Sequence, residues 1–144
     1  AIGINSKEDE NKTIKYFNSL SIFDHDLNLI NSYKKINLVP FGEFLPFEKL
    51  LKSIGLKTIT NEYQSYSKGA ERNIIDLKFS NLSVKILPLI CYEIIYSGKI
   101  FPNNKFDYIV NISEDGWFGK SIGPEQHLTH SIFRAIVWNR CFRQ

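Results

Sequence analysis

An α/β domain is the fold class this chain predicts, and three features carry the expectation. Two apolar runs, Val84 to Ile90 and Phe106 to Ile112, are short and rich in β-branched residues, so they read as buried strands. Each run stops abruptly at polar groups. The first ends at Cys91-Tyr92-Glu93, the second at Ser113-Glu114-Asp115-Gly116-Trp117-Phe118-Gly119. From Pro124 to Asn139 the spacing of Leu128, Ile132, Ala135 and Ile136 is helical, and Pro124 suits a first turn. α/β proteins place their chemistry at the carboxyl ends of buried strands, so the two polar ends point to one shared crevice.

Taken in order, Ala1 to Thr13 reads as a strand end followed by an exposed loop, because Ser6 to Lys12 is polar throughout. Lys15 to Phe23 alternates with period two and predicts a strand. Asp24-His25-Asp26 is its turn, with His25 solvated, and Leu27 to Ile30 is a short return strand. Pro40, Gly42 and Pro46 exclude a regular helix or central strand between Tyr33 and Pro46. That stretch predicts a stiff loop whose Leu38, Val39, Phe41, Phe44 and Phe47 must pack against something. Phe47 to Ile54 reads as a short amphipathic helix ended by Gly55, and Lys57 to Gly69 as a polar connector. Ile74 to Phe79 and Val84 to Ile90 predict a hairpin turning at Asn81, with a short helix from Glu93 to Ile100.

At 144 residues the chain fits one domain, and its 43% hydrophobic and 23% charged residues are ordinary globular usage. The net charge of +3 comes from scattered Lys and Arg, so nucleic acid is not an expected partner. Cys91 and Cys141 do not make a secreted disulfide framework. No apolar run approaches the ~20 residues that span a bilayer, and taken alone the chain reads as soluble. It begins at Ala1 and contains no methionine, which leads us to expect a piece of something longer.

A cysteine attacks as thiolate, and a free thiol has a pKa near ~8.5, so a catalytic Cys91 needs a cation or a base beside it. Lys35 can supply positive charge to the sulfur and to an oxyanion on a substrate carbonyl, with the Tyr92 N–H as a second donor. Glu43 and Glu93 can orient that lysine or move a proton. A papain-type Cys91–His127 pair competes with this reading and requires the helix to aim His127 at the thiol. Glu125, His127 and His130 make a poor metal site, lacking a third ligand at helical spacing, and read better as first-turn polar residues. Trp117, between Gly116 and Gly119, serves either as core or as a substrate wall.

Several strings together resemble one family. They are Tyr33-x-Lys35-x-x-Leu38-Val39-Pro40-Phe41-Gly42-Glu43, then Ile90-Cys91-Tyr92-Glu93, then Asp115-Gly116-Trp117-Phe118-Gly119-x-Ser121-x-Gly123-Pro124-x-Gln126-His127. They look like the carbon-nitrogen hydrolase, or nitrilase-like, domain, and more narrowly its apolipoprotein N-acyltransferase branch. The resemblance implies a four-layer α-β-β-α sandwich and a Glu-Lys-Cys triad, with Lys35 and Cys91 in the triad and Glu43 and Glu93 supporting it. Tyr92 and Trp117 then face substrate, and no cofactor is needed. The implied partners are a phospholipid acyl donor and an apolipoprotein acceptor at the periplasmic face of a bacterial inner membrane. The triad glutamate belongs to a strand upstream of Ala1, and Glu114 and Val137 depart from the family's usual Asn and Glu. Residues 1–144 are therefore expected to be an incomplete carbon-nitrogen hydrolase domain, inactive and poorly soluble alone, needing a complementary membrane-embedded half. A soluble amidase or nitrilase, or a non-enzymatic remnant, is the alternative.

Overall fold

The computed structural model describes residues 1–10, 12–47, 53, 65–96, 100 and 105–142. Strands β1 (Ile2–Glu10), β2 (Thr13–Phe23) and β3 (Leu29–Lys34) form one antiparallel sheet in chain order. Strands β4 (Ile75–Phe79), β5 (Leu82–Ile90) and β6 (Tyr108–Ile112) form a second, with β5 antiparallel to β4 and parallel to β6. Helix α1 (Gly123–Phe142) follows. Short 3-10 turns, Cys91–Ile95 and Asp115–Phe118, close the carboxyl ends of β5 and β6. One antiparallel sheet, one mixed sheet and a helix are consistent with the α/β nitrilase-like reading.

The period-two alternation of β5 explains why its sequence is apolar on both faces. Ile86 and Ile90 point between the sheets, where they meet Leu20 and Ile22 of β2, Tyr33 of β3 and Ile75 of β4. Leu87 and Leu89 point the other way, into a cluster with Ile94, Ile100, Phe106 and Trp138 of α1. A strand covered on both sides reads as a continuous run rather than an alternating one. The sheets approach closely at Gly3, where an added Cβ would come within 3.0 Å of Ile112. Ile90 and Ile112 are register partners, so Cys91 and Ser113 leave the sheet side by side. The two polar strand ends thus adjoin, and the cavity beside them is lined by Ile94, Asn111, Ser113, Asp115 and His127 rather than by Cys91.

Three boundaries differ from expectation. The polar tract after Asn5 is strand, not loop, because β1 pairs with β2 through the backbone all the way to Glu10. Polar side chains on that strand find partners of their own: the Ser6 and Ser19 hydroxyls lie 2.6 Å apart, and Glu8 pairs with Lys34. The return strand starts at Leu29 and runs to Lys34. Its turn is longer than three residues because the Asp24 carboxylate accepts from the N–H of Asp26 (2.9 Å) and of Asn28 (2.8 Å), with Leu27 left-handed between them. The helix expected from Glu93 to Ile100 is a 3-10 turn ending at Ile95, with residues 97–99 outside the described set. Of the expected helix from Phe47 to Ile54 only Phe47, in a turn, and Ser53 are described, and most of the connector after it also lies outside the described residues.

Helix α1 is where expected but seats an unexpected side. His127 and Trp138 are buried, whereas Leu128, Ile132, Phe133 and Ile136 are exposed. Trp138 stacks on Phe106 at 3.7 Å with 13° between the rings. The Arg134 guanidinium donates to the carbonyls of Ile94 and Ile95, both at 3.2 Å. Helix and strand are thus joined at the Cys91–Ile95 turn as much by polar bonds as by apolar contact.

Candidate active site

Cys91 sits directly after the buried end of β5 with φ of 51°, the left-handed region. A non-glycine residue held there costs about 1–3 kcal/mol and persists only where its surroundings fix it. Two bonds do so. The N–H of Ile90 donates to Glu93 Oε2 at 3.0 Å, and the carbonyl of Cys91 accepts from His127 Nε2 at 3.0 Å. Cys91, a free thiol, is half-buried and packs against the inter-sheet core. Tyr92 is exposed and meets the Tyr96 ring edge-on at 5.6 Å.

Lys35 continues β3, its N–H donating to the carbonyl of Asn18 at 2.8 Å. Because Tyr33 faces inward, so does Lys35, and its side chain is 1% exposed. A lysine so deeply buried requires a partner. Glu43 provides it, with Lys35 Nζ at 2.9 Å from Oε1 and 2.8 Å from Oε2. Asn18 Nδ2 (2.6 Å) and the Val39 N–H (2.9 Å) hold the same carboxylate. The stiff loop after Lys35 makes this possible by folding back on itself, Phe41 N–H to Phe44 carbonyl at 2.8 Å. Of its apolar residues Leu45 is buried, but Phe41 and Phe47 face outward, contrary to the expectation that they pack inside.

Glu93 has no exposed surface. It accepts from the Tyr33 hydroxyl at 2.9 and 3.0 Å, from the N–H groups of Ile36 and Asn37 at 3.0 Å, and from Arg72 Nη2 at 2.8 Å. With the Ile90 bond already named, this carboxylate ties the segment after Lys35 to the turn that carries Cys91. Burial, and then the negative charge of Glu93, push the Tyr33 phenol well above its ordinary 10.0. A strap from Tyr66 to Arg72 closes the cluster from outside. Its N–H groups bond the carbonyls of Glu43 (2.9 Å, from Tyr66), Tyr16 (2.7 Å, from Ser67) and Lys35 (2.9 Å, from Gly69).

His127 is 6% exposed, with Nδ1 at 2.8 Å from Asp115 Oδ1 and Nε2 on the Cys91 carbonyl. Both ring nitrogens are taken, neither by the sulfur, so the papain-type pairing is not the arrangement found. The Ser113 hydroxyl, 2.5 Å from Asp115 Oδ1, and to a lesser degree the His127 bond hold the Asp115 carboxyl below its ordinary range. Trp117 is 68% exposed on its turn, which excludes the core reading.

The structure therefore sets Lys35, Glu43, Glu93 and Cys91 around one end of the inter-sheet layer. Sequence reasoning missed Asn18 and Arg72 as members of the cluster. Asn18 carries a signal: it falls at an inward position of an alternating strand, between Tyr16 and Leu20, where a polar residue needs a buried partner. Arg72 lies in a polar connector, and nothing local marks it.

A model of the family described as carbon-nitrogen hydrolase matches residues 1–142. The chain is 40% identical over 121 residues to an apolipoprotein N-acyltransferase of Rhodopseudomonas palustris, and equally so to one of Bradyrhizobium diazoefficiens. It is 36% identical over 123 residues to that of Rhizobium rhizogenes. These alignments cover 83–85% of this chain but 22% of each relative, so the chain spans under a quarter of the length of the curated proteins it matches.

Proposed function

The chain belongs to the carbon-nitrogen hydrolase family, and from that premise we propose that it is the nucleophile-bearing part of an apolipoprotein N-acyltransferase. In this reading the Cys91 thiolate attacks the ester carbonyl of a phospholipid acyl chain. The oxyanion forms against Lys35 Nζ and the Tyr92 N–H, the lysophospholipid alkoxide leaves with a proton, and a thioester remains. The α-amine of a diacylglyceryl-cysteine then attacks the thioester, an amide forms and the thiol is restored. Glu43 holds and aims Lys35, Glu93 fixes both backbone segments, and Tyr92 and Trp117 line the approach. The general base is the glutamate that the resemblance assigns to a strand preceding Ala1.

The observation that carries this reading is the buried Lys35–Glu43 pair at the same end of the core as a left-handed, half-exposed cysteine. Burying an ion pair seldom repays its desolvation through stability alone, so function is the better reason for it. The fold completes as the four-layer sandwich if a helical layer covers the outer face of β1–β3, where Ile2 and Ile4 flank the small residues Ser19 and Ser21. No described helix is long and apolar enough to cross a membrane. In this reading the lipid is held at the periplasmic face of an inner membrane by the membrane-embedded half that the resemblance implies. Incubating the full natural polypeptide with phospholipid should add an acyl mass to the peptide containing Cys91. Cys91→Ala should abolish the adduct and Lys35→Ala should slow its formation by about 10²-fold or more. Turnover of a small amide with no adduct from phospholipid would instead establish the amidase alternative.

A further inference from the structure

We propose that His127 is a positioning residue that strengthens the oxyanion donor of this site through the Cys91–Tyr92 peptide group. The proposal rests on the acyl-transfer reading for its consequence and on geometry for its substance. One peptide unit carries both atoms that matter: its carbonyl oxygen, on Cys91, accepts from His127 Nε2 at 3.0 Å, and its N–H, on Tyr92, is the donor that an oxyanion would meet. A hydrogen bond accepted by a peptide carbonyl polarises the whole group and makes its N–H a stronger donor. The bond also fixes the plane of a peptide adjoining a residue at φ of 51°, which would otherwise relax.

The histidine is built for this and is not an incidental neighbour. It is 6% exposed, held from α1, and its other nitrogen lies 2.8 Å from Asp115 Oδ1, which the Ser113 hydroxyl also meets at 2.5 Å. A carbonyl only accepts, so Nε2 carries the N–H of that bond, while Nδ1 lies within reach of the Asp115 carboxylate at 2.8 Å and of the Ser113 hydroxyl at 3.3 Å. The donor aimed at the nucleophile's carbonyl is thus backed by a carboxylate. That carboxylate comes from the turn at the end of β6, the strand parallel to the one that ends in Cys91. Asp115 and His127, to which the acyl-transfer reading gave no role, acquire a joint task.

The test separates acylation from mere access to the thiol, using the full natural polypeptide. Acylation by p-nitrophenyl butyrate forms the Cys91 S–C bond, expels p-nitrophenolate and needs an oxyanion donor. Alkylation by iodoacetamide needs the thiolate but no such donor. His127→Leu should slow acylation about tenfold while alkylation stays within about twofold, and His127→Gln, which keeps an N–H at the same reach, should recover most of the loss. Labelling cysteine with 13C at the carbonyl and tyrosine with 15N isolates the Cys-Tyr peptide, which occurs once in this sequence and is assigned by its loss in Cys91→Ser. Its amide proton should move upfield in His127→Leu and return in His127→Gln. Equal slowing of both reactions, no slowing of either, or an unmoved amide proton would overturn the proposal. A shifted amide proton with no acylation even of the unaltered protein would uphold the coupling and overturn the acyl-transfer reading instead.

Discussion

Glu93 and Glu43 are both acids in recognisable strings, yet their surroundings give them different work. Glu93 has no exposed surface and every contact named for it is a donor, with Arg72 Nη2 at 2.8 Å and its side chain 10% exposed. Glu93→Gln would set an amide N–H2 against the N–H of Ile90 or of Ile36 and Asn37, and remove the negative charge that the Arg72 guanidinium meets at 2.8 Å. Removing one partner of a buried pair costs about 3–5 kcal/mol, so urea unfolding should show a loss of that order, with Glu93→Asp failing to restore it. Gly69 is constrained differently. Its added Cβ would lie 2.3 Å from the carbonyl oxygen of Lys34, a backbone atom that cannot swing aside. Gly69→Ala should therefore destabilise by about 1–3 kcal/mol and loosen the strap over Lys35, read in the same unfolding experiment. At this scale the sequence announced which acids and which lysine matter. It did not announce that Glu93 grips backbone N–H groups rather than the ammonium, because those partners, Ile36 and Asn37, lie 57 and 56 positions away, whereas Lys35 lies 8 positions from Glu43.

Among the elements, the legible ones were those whose burial pattern is written in their own residues. β5 was readable because Ile86, Leu87, Leu89 and Ile90 serve two cores at once. The second half of β1 was not, since it is a strand only by virtue of pairing with β2, and its side chains are those of a loop. Helix α1 shows the same limit in another form. Its period was clear, but the stripe of Leu128, Ile132 and Ile136 that marks it stays exposed, and the buried side is a histidine and a tryptophan tied down by specific partners. Among the described residues of the helix's carboxyl half, Trp138, 8% exposed and stacked on Phe106, is then the main apolar attachment. Trp138→Ala should cost about 3–5 kcal/mol, and amide hydrogen exchange should quicken in the carboxyl half of α1 more than near His127. Uniform protection along the helix in that variant would show that the stack does not anchor it.

For the molecule as a whole, the buried cluster at one end of the core makes stability depend on pH in a predictable direction. Tyr33 keeps its proton more tightly folded than unfolded, because its phenol is buried and faces the Glu93 carboxylate. Above pH 10, the ordinary tyrosine value, the unfolded chain releases that proton while the folded one retains it. The unfolded state then binds fewer protons, so stability falls as pH rises. The contribution is fully present below pH 10 and is lost progressively above it, toward the raised folded value. Tyr66 shares the direction, so the informative quantity is a difference. Tyr33→Phe should be less stable at neutral pH, having lost the hydroxyl bond to Glu93, yet its stability should decline less steeply between pH 10 and 11. Unfolding free energies measured across that interval decide the matter, and parallel slopes for the two proteins would mean that Tyr33 is not held against Glu93 as the structure has it.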